Sequence, residues 1–266
     1  PMSRAEQRWW QRPGWALFLL VFCAYGYFYQ AGGWNQNSRF DLTRAIVEER
    51  RSSIDSYHKN TGDKACRGPK GRCVKAGPDD HYYCDKAPGA SWMAVPMYAA
   101  VYAIAGPERP DKGFLAVAAH LSTVFAVGLV SAAAVVALWW LLLAMGVGGL
   151  VAFVVAASYG LATLAFPYAT LFYGHQSTAA MLLIAFALLV KLRREEWEAG
   201  PLGLVGVGAL MGTAIIVEYP SALAVLAMGV YVLAWNRSWK RLGWLVLGGL
   251  IPGLACAYYH YALFGG

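Results

Sequence analysis

Residues 113–145 read GFLAVAAHLSTVFAVGLVSAAAVVALWWLLLAM and contain a single ionisable residue, His120. A helix needs about 20 apolar residues to cross the hydrocarbon layer of a membrane. Because this run is longer than that, we expect a helix that tilts, bends or extends beyond the bilayer. The run predicts an integral membrane protein.

Six other apolar runs predict further membrane spans. They are residues 15–31, 146–166, 172–190, 202–217, 221–235 and 242–263. Each is expected to be a helix, because backbone polar groups in lipid must bond within their own segment. The composition agrees, since 58% of the residues are hydrophobic and only 14% are charged, which does not fit a soluble domain. We predict one all-α domain, residues 1–266, built as a polytopic bundle of about seven transmembrane helices.

The basic residues orient this bundle, because cytoplasmic loops are enriched in Lys and Arg. Basic clusters precede the first span and follow the fourth and the sixth: Arg4, Arg8, Arg12; Lys191, Arg193, Arg194; and Arg237, Lys240, Arg241. All three lie in the cytoplasm only if the apolar segment 88–105 does not cross. We therefore predict that this segment lies in the outer interface of the cell inner (plasma) membrane. The amino terminus is then cytoplasmic, and the large loop 32–112, with its interfacial helices, is extracytoplasmic.

The cysteines agree with this orientation. Cys66 and Cys73 flank a Gly/Pro/basic stretch in the loop, where an oxidising compartment favours a small disulfide-closed ring. Free thiols are the alternative, and a zinc site is disfavoured because the loop contains only one further cysteine, Cys84. The excess of 22 Lys and Arg over 15 Asp and Glu follows from topology and does not indicate nucleic-acid binding.

The first candidate for chemistry is Asp41. The loop segment 35–48 predicts an amphipathic interfacial helix with Ser38 as its N-cap. Asp41 would then lie in the first turn at the water boundary, as a candidate catalytic carboxylate. Alternatively, Asp41 only caps this helix and pairs with Arg44.

The second candidate is the pair Asp85 and Lys86, which precedes Pro88 and the predicted helix 88–105. Free backbone N–H groups at a helix start favour anions, so a phosphate beneath Lys86 would be well placed. Asp85 is the second candidate catalytic carboxylate. The alternative is an ordinary solvated ion pair before a helix.

Four ionisable groups within or between the later spans are predicted to lie on the outer side: His120, His175, Glu218 and His260. A lone histidine in a membrane helix is usually a packing residue. Because polar groups in the membrane are costly, four on one side indicate a shared polar cavity. We take Glu218 and His175 as the candidate substrate-binding residues among them.

The order of these features resembles the GT-C glycosyltransferases, in particular the glycosyltransferase family 39 and aminoarabinose-transferase-like group. In that group the first outer loop opens with Asp-Glu-x-Arg-Tyr and later contains Tyr-Phe-Glu-Lys-Pro-Pro. Here Asn37-Ser-Arg-Phe40 and Tyr82-Tyr-Cys-Asp-Lys-Ala-Pro88 occupy those places. The turn at Pro167 with Phe172-Tyr-Gly-His175, and the break at Glu218-Tyr-Pro220, are also similar to the group.

This resemblance implies transfer of a sugar from a polyprenyl-phosphate donor to an acceptor hydroxyl at the extracytoplasmic face, with or without a divalent metal. The acceptor is unknown, and membrane lipids are the other expected partners. Arg39 and Lys86 would hold the leaving phosphate, and Tyr83 would contact substrate as part of its motif. Asp41 or Asp85 would stand near the acceptor hydroxyl.

The group's catalytic aspartate falls on Gln36 or Asn37, neither of which can act as a base. The base is therefore expected at a nearby carboxylate: Asp41 first, or Asp55, Asp63 or Asp85. Two other classes remain open: a transporter or flippase-like carrier, and a non-catalytic membrane subunit. Because the chain starts at Pro1 and stops just after a span, we also expect it to be part of a longer protein.

Overall fold

The computed structural model describes residues 4–69, 71–74, 76–105 and 111–264, with side chains from residue 13 onward except at 105. The chain is mostly helical, as predicted. Three helices in these ranges are long and apolar enough to cross a membrane: Lys112–Ala144, Gly174–Arg193 and Trp239–Phe264. Shorter apolar helices are Pro13–Tyr27, Gly89–Ile104, Gly149–Ala162, Pro201–Val217 and Tyr219–Trp235. These helices indicate a membrane protein.

The helices follow one another in this order: α1 (Arg4–Tyr27), α2 (Trp34–Arg44), α3 (Gly89–Ala105), α4 (Lys112–Thr123), α5 (Leu129–Ala144), α6 (Gly149–Ala162), α7 (Ala165–Ala169), α8 (Gly174–Arg193), α9 (Pro201–Val217), α10 (Ala222–Trp235) and α11 (Trp239–Phe264). Their outward faces expose large apolar side chains such as Leu150, Leu226 and Leu254. Such extended apolar surface is typical of contact with lipid or another protein.

The longest helix joins α4 to α5 through a π-helical turn, Val124–Gly128. Its 33 residues correspond to roughly 50 Å of helix at ~1.5 Å per residue. That exceeds a hydrocarbon core of about 30 Å, as the long apolar run predicted. A π-turn holds one extra residue and is a common cause of a bend.

Glycines bring α9 and α11 into backbone contact. A Cβ atom on Gly208 would lie 2.0 Å from the carbonyl oxygen of Leu245, and one on Gly248 would lie 2.1 Å from that of Val205. Gly208 and Gly212 have the four-residue spacing of small residues that lets membrane helices approach closely. This contact fixes α9, whose carboxyl end is followed by Glu218.

The loop between α2 and α3 contains a small antiparallel sheet that the all-α prediction did not include. Its strands are β1 (Lys64–Gly68), β2 (Gly71–Cys73) and β3 (His81–Cys84), in the order β2-β1-β3. Cys66 and Cys73 are paired across β1 and β2 and form a disulfide bond, with their Cα atoms 5.0 Å apart. The strands are three to five residues long, too short to give a period-two pattern that stands out in the sequence.

The start of α2 differs from the prediction. The helix begins at Trp34, with Gly33 as its N-cap, and the Gln36 side chain accepts a 2.9 Å hydrogen bond from the Gly33 N–H. Ser38 is therefore an interior, fully buried helix residue instead of a cap. Asp41 lies two turns into the helix, not in its first turn.

The segment predicted as 88–105 forms α3 over Gly89–Ala105. Gly89 packs against the carboxyl end of α9, where a Cβ atom would lie 2.6 Å from the carbonyl oxygen of Ile216. Only glycine fits so close to another backbone. The start of α3 and the end of α9 thus form one junction beneath α2.

Candidate functional site

A cavity of about 250 Å³ lies between the amino-terminal loop region and the bundle. We call it the Asp41 cavity; its polar lining includes Asp41, Arg44, Asn60, Lys112, His120 and Thr170. The loop supplies the first three of these residues and the bundle the others. The cavity therefore lies between α2 on one side and α4 with the segment after α7 on the other.

Asp41 is the most unusual group in this cavity. Its side chain is fully buried, and Oδ1 accepts a 3.0 Å hydrogen bond from Nδ2 of Asn60. The other oxygen, Oδ2, is buried with no hydrogen-bond partner in the part of the chain that the structure describes. Burial raises the pKa of Asp41 to about 7, against smaller opposing effects of the Asn60 hydrogen bond and the charges of Arg44 and Lys64. A carboxyl group with such a pKa is suited to exchange protons near neutral pH.

Arg44 does not pair with Asp41, contrary to the alternative considered from the sequence. Its guanidinium bonds Glu48 instead, with Nε 2.8 Å from Oε1, and lies over the ring of Tyr57. The hydroxyls of Tyr57 and Tyr98 also donate to Glu48. This buried network holds Arg44 at the cavity wall beside Asp41.

One face of α4 forms the opposite wall. Its residues recur every three or four positions: Lys112, Leu115, Ala116, Ala119, His120 and Thr123. His120 Nε2 lies 2.9 Å from the Gly26 carbonyl oxygen, which can only accept, so this nitrogen carries a proton. In the neutral ring Nδ1 is then the acceptor. Within the described ranges, no carboxylate lies at ion-pair distance from Lys112.

The sequence contains a signal for this wall in the spacing of Lys112 and His120. The two are eight residues apart, with small residues at the helical positions between them, and therefore share a helix face.

A second cluster joins the loop to the bundle. Arg39 is 2% exposed, and its Nη2 lies 2.9 Å from Oε1 of Glu218. Its other nitrogens donate to the Asn35 side chain and to the Ala87 carbonyl. His175 Nδ1 is 3.5 Å from the same oxygen of Glu218. Three residues chosen from the sequence, Arg39, His175 and Glu218, are thus brought together.

The geometry of this cluster is that of a structural junction. Gly174 precedes His175, and a Cβ atom there would lie 2.2 Å from Oε1 of Glu218, so glycine lets the carboxylate approach α8. The guanidinium of Arg39 is buried and its charge is already paired with Glu218, so a phosphate has little access to it. The structure therefore does not favour Arg39 as a ligand of the leaving phosphate.

A third cluster contains the other predicted pair. Lys86 Nζ lies 3.1 Å from carboxylate oxygens of both Asp63 and Asp85. The two negative charges outweigh the single positive charge, so this place repels an anion instead of attracting one. The ordinary ion pair considered from the sequence fits this arrangement better than a phosphate site does.

Tyr83 lies apart from the Asp41 cavity. It is buried in β3, with its ring 5.2 Å from that of Phe264 at the end of α11. The single site expected from the sequence is therefore divided into the Asp41 cavity, the Arg39–Glu218 junction and the Lys86 cluster. Asp41 is the one candidate of the seven catalytic and substrate-binding residues that lines the cavity.

No group of three or more His, Cys, Asp or Glu side chains that could hold a metal ion occurs among the residues described. No known protein family, curated protein or solved structure matches this chain.

Proposed function

We propose that this protein is a membrane-embedded glycosyltransferase that moves a sugar from a polyprenyl-phosphate donor to an acceptor hydroxyl, with Asp41 as the general base. One observation carries the proposal: Asp41 is buried in a polar cavity with one carboxylate oxygen unpartnered. Leaving a buried carboxylate oxygen unpaired costs free energy. A substrate hydroxyl that donates to Oδ2 would compensate that cost.

The proposed step is an inverting displacement. The acceptor oxygen forms a bond to the anomeric carbon of the donor sugar while its proton passes to Oδ2 of Asp41. The bond between that carbon and the phosphate oxygen breaks, and polyprenyl phosphate leaves with its electron pair. Asp41 must be ionised to accept the proton, so its raised pKa of about 7 makes transfer increase with pH up to neutrality.

We assign stabilisation of the negative charge on the leaving phosphate to Lys112, which lines the same cavity as Asp41. Arg44 also lines the cavity, but Glu48 already neutralises its charge. Cations positioned at developing negative charge stabilise such a transition state. Arg39 and Lys86, which the family resemblance assigned to this role, are already paired with Glu218 and with Asp63 and Asp85.

The proposal places the Asp41 cavity at the extracytoplasmic face of a seven-span inner-membrane protein. The shorter apolar helices support this count when α3 is kept in the interface. The basic residues at the end of α8 and around the start of α11 support the orientation. Single cysteines that replace Arg72 and Glu195 test the orientation in intact cells. An impermeant maleimide should label position 72 and not position 195, and labelling at 195 would exclude this topology.

Transfer itself is tested with a radiolabelled polyprenyl-phosphate sugar and purified protein. Wild-type protein should move label to an acceptor, and Asp41→Asn should reduce the rate by at least about 100-fold, the usual contribution of a general base. Asp85→Asn is the matched control and should stay within a few-fold of wild type. A carrier or a non-catalytic subunit would leave the donor uncleaved, and a variant Asp41→Asn that retains full activity would exclude Asp41 as the base.

A further inference from the structure

A second, larger cavity lies far from the Asp41 cavity along the same long helix. It has a volume of about 750 Å³ and is a groove between α1, α5 and α8. Its lining is apolar apart from one cation, Lys191. The apolar residues include Trp15, Phe18, Val136, Trp140 and Leu188. We call it the Lys191 groove. Its volume falls within the range of about 300–1,000 Å³ typical of small-molecule sites.

The groove has the length of one membrane leaflet. On α5 it extends from Ala133 to Leu143, which corresponds to roughly 15 Å at ~1.5 Å per residue. Half of a hydrocarbon core of about 30 Å is the same length. A single acyl chain therefore fits the groove from the membrane edge to the midplane.

The polar end of the groove is marked by Lys191, in the last turn of α8. Its Nζ lies 4.2 Å from the centre of the Trp140 ring, and no carboxylate lies at ion-pair distance from it in the described part of the chain. Arg194 differs, because its Nε is 2.9 Å from Oε1 of Glu196. Lys191 is thus a half-buried cation at the mouth of an apolar groove, and Glu196, its nearest electrostatic partner among the described residues, acts on it from beyond ion-pair distance.

From these observations we propose that the Lys191 groove binds an anionic phospholipid, with an acyl chain along α5 and the phosphate beside Lys191. In the orientation proposed above, Lys191 lies on the cytoplasmic side, where basic pockets between membrane helices are known to hold anionic head groups. The carbon chain supplies apolar contact with three helices, and the phosphate supplies a negative charge at ion-pair distance from Lys191. The site is separate from the donor cavity, since Lys112 and Trp140 stand at opposite ends of the α4–α5 helix.

The probes are phosphatidylglycerol and phosphatidylcholine of identical chain length, added to the purified full chain in detergent and measured by native mass spectrometry. Wild type should retain one phosphatidylglycerol in preference to phosphatidylcholine. Lys191→Gln should lower this preference by roughly fivefold, as expected for loss of one basic residue at the membrane surface. Lys191→Arg should keep most of it, because the cation remains.

Lys240→Gln is the matched control, since Lys240 is an exposed cation that does not line the groove. Equal retention of the two lipids by wild type, or the same loss in Lys240→Gln as in Lys191→Gln, would overturn the proposal.

A second pair of variants tests the groove itself. Ala137→Leu adds volume inside it, whereas Ala224→Leu adds the same volume on the exposed face of α10. Ala137→Leu should abolish retention of phosphatidylglycerol, and Ala224→Leu should not. Unchanged retention in Ala137→Leu would exclude the groove as the site. A wild-type dimer that Ala137→Leu dissociates, with no lipid retained, would show that a second copy of the chain fills the groove.

Discussion

Two charged side chains on α2, Arg39 and Asp41, are both almost fully buried, but they differ in their hydrogen-bond partners. Residues two apart on a helix project roughly 200° from each other at ~100° per residue. Arg39 faces the junction with α3 and α9, where it has three acceptors. Asp41 faces the Asp41 cavity, where one of its oxygens has a donor and the other has none among the described residues. Burial alone therefore does not distinguish the two charged groups, whereas unused bonding capacity beside a cavity makes Asp41 the better candidate for chemistry.

The largest expected effect is a loss of stability when the Arg39–Glu218 ion pair is broken. Arg39→Met leaves Glu218 close to the buried junction without its cation, and removal of one partner from such a pair costs about 3–5 kcal/mol. The unfolding transition in detergent should shift to lower temperature by a corresponding amount. Adding Glu218→Gln to the same chain should restore part of the loss, because no unpaired charge then remains. A single variant as stable as wild type would contradict the structural role of this pair.

The second effect is the pH-dependent loss of stability caused by burying the charge of Asp41. Its pKa is raised from 3.8 to about 7 on folding, so between these values the unfolded chain releases a proton that the folded chain keeps. The free energy of unfolding of the wild type is therefore highest below about pH 4, as far as Asp41 is concerned, and it falls as the pH rises to about 7.

Asp41→Asn avoids this decline because the amide does not ionise. The gain in unfolding temperature over wild type should widen from about pH 4 to about pH 7 and then stay constant. At most it corresponds to about 4 kcal/mol, the value of roughly three pKa units. A gain that does not depend on pH would show that Asp41 is not a buried titrating group. Stability and transfer should therefore change in opposite directions in this variant.

A smaller effect is expected at Asn60, whose side chain lowers the pKa of Asp41 by donating to Oδ1. Asn60→Ala removes this bond, so the pKa should rise, and the pH at which transfer is half-maximal should move up by about one unit. Asn37→Ala is a suitable control, because Asn37 lines the same cavity and its amide bonds the Asn60 carbonyl instead of Asp41. A pH profile that shifts equally in both variants would contradict the assignment.

The smallest effect should occur in the Lys86 cluster. Its members are partly exposed, so solvent screens their ion pairs, and such pairs contribute about 0–1 kcal/mol each. Lys86→Gln should lower stability by no more than that and leave donor affinity unchanged. A large loss of donor affinity would support the role of Lys86 as a phosphate ligand, as the sequence suggested.

Apolar runs were enough to predict the helices, because the number of residues needed to cross lipid leaves a strong pattern in composition. The partners of buried charges left no such pattern. Arg39 and Glu218 are separated by 179 positions, and only the packing of α9 against α3 brings them together. Both were selected from the sequence as substrate-binding residues, and their mutual pairing is what the sequence could not predict.

Asp41 stays a predicted catalytic residue, but its surroundings differ from those expected. Its expected place in the first helical turn depended on Ser38 as the cap, whereas Gly33 starts the helix five residues earlier. Its hydrogen-bond donor, Asn60, belongs to a short 3₁₀ turn that has no periodic pattern to predict it. The small sheet was missed for the same reason, because it depends on cross-strand pairing and a disulfide bond instead of local propensity.

The π-helical turn Val124–Gly128 sets the angular relation between the two cavities. The α4 side of the long helix lines one cavity and the α5 side lines the other, and the extra residue between them changes their relative rotation by roughly 100°. Deletion of one residue from this turn would realign the helix as a continuous α-helix and rotate His120 relative to Trp140. A deletion too short to prevent the helix from spanning the membrane would therefore disturb the lining of both cavities.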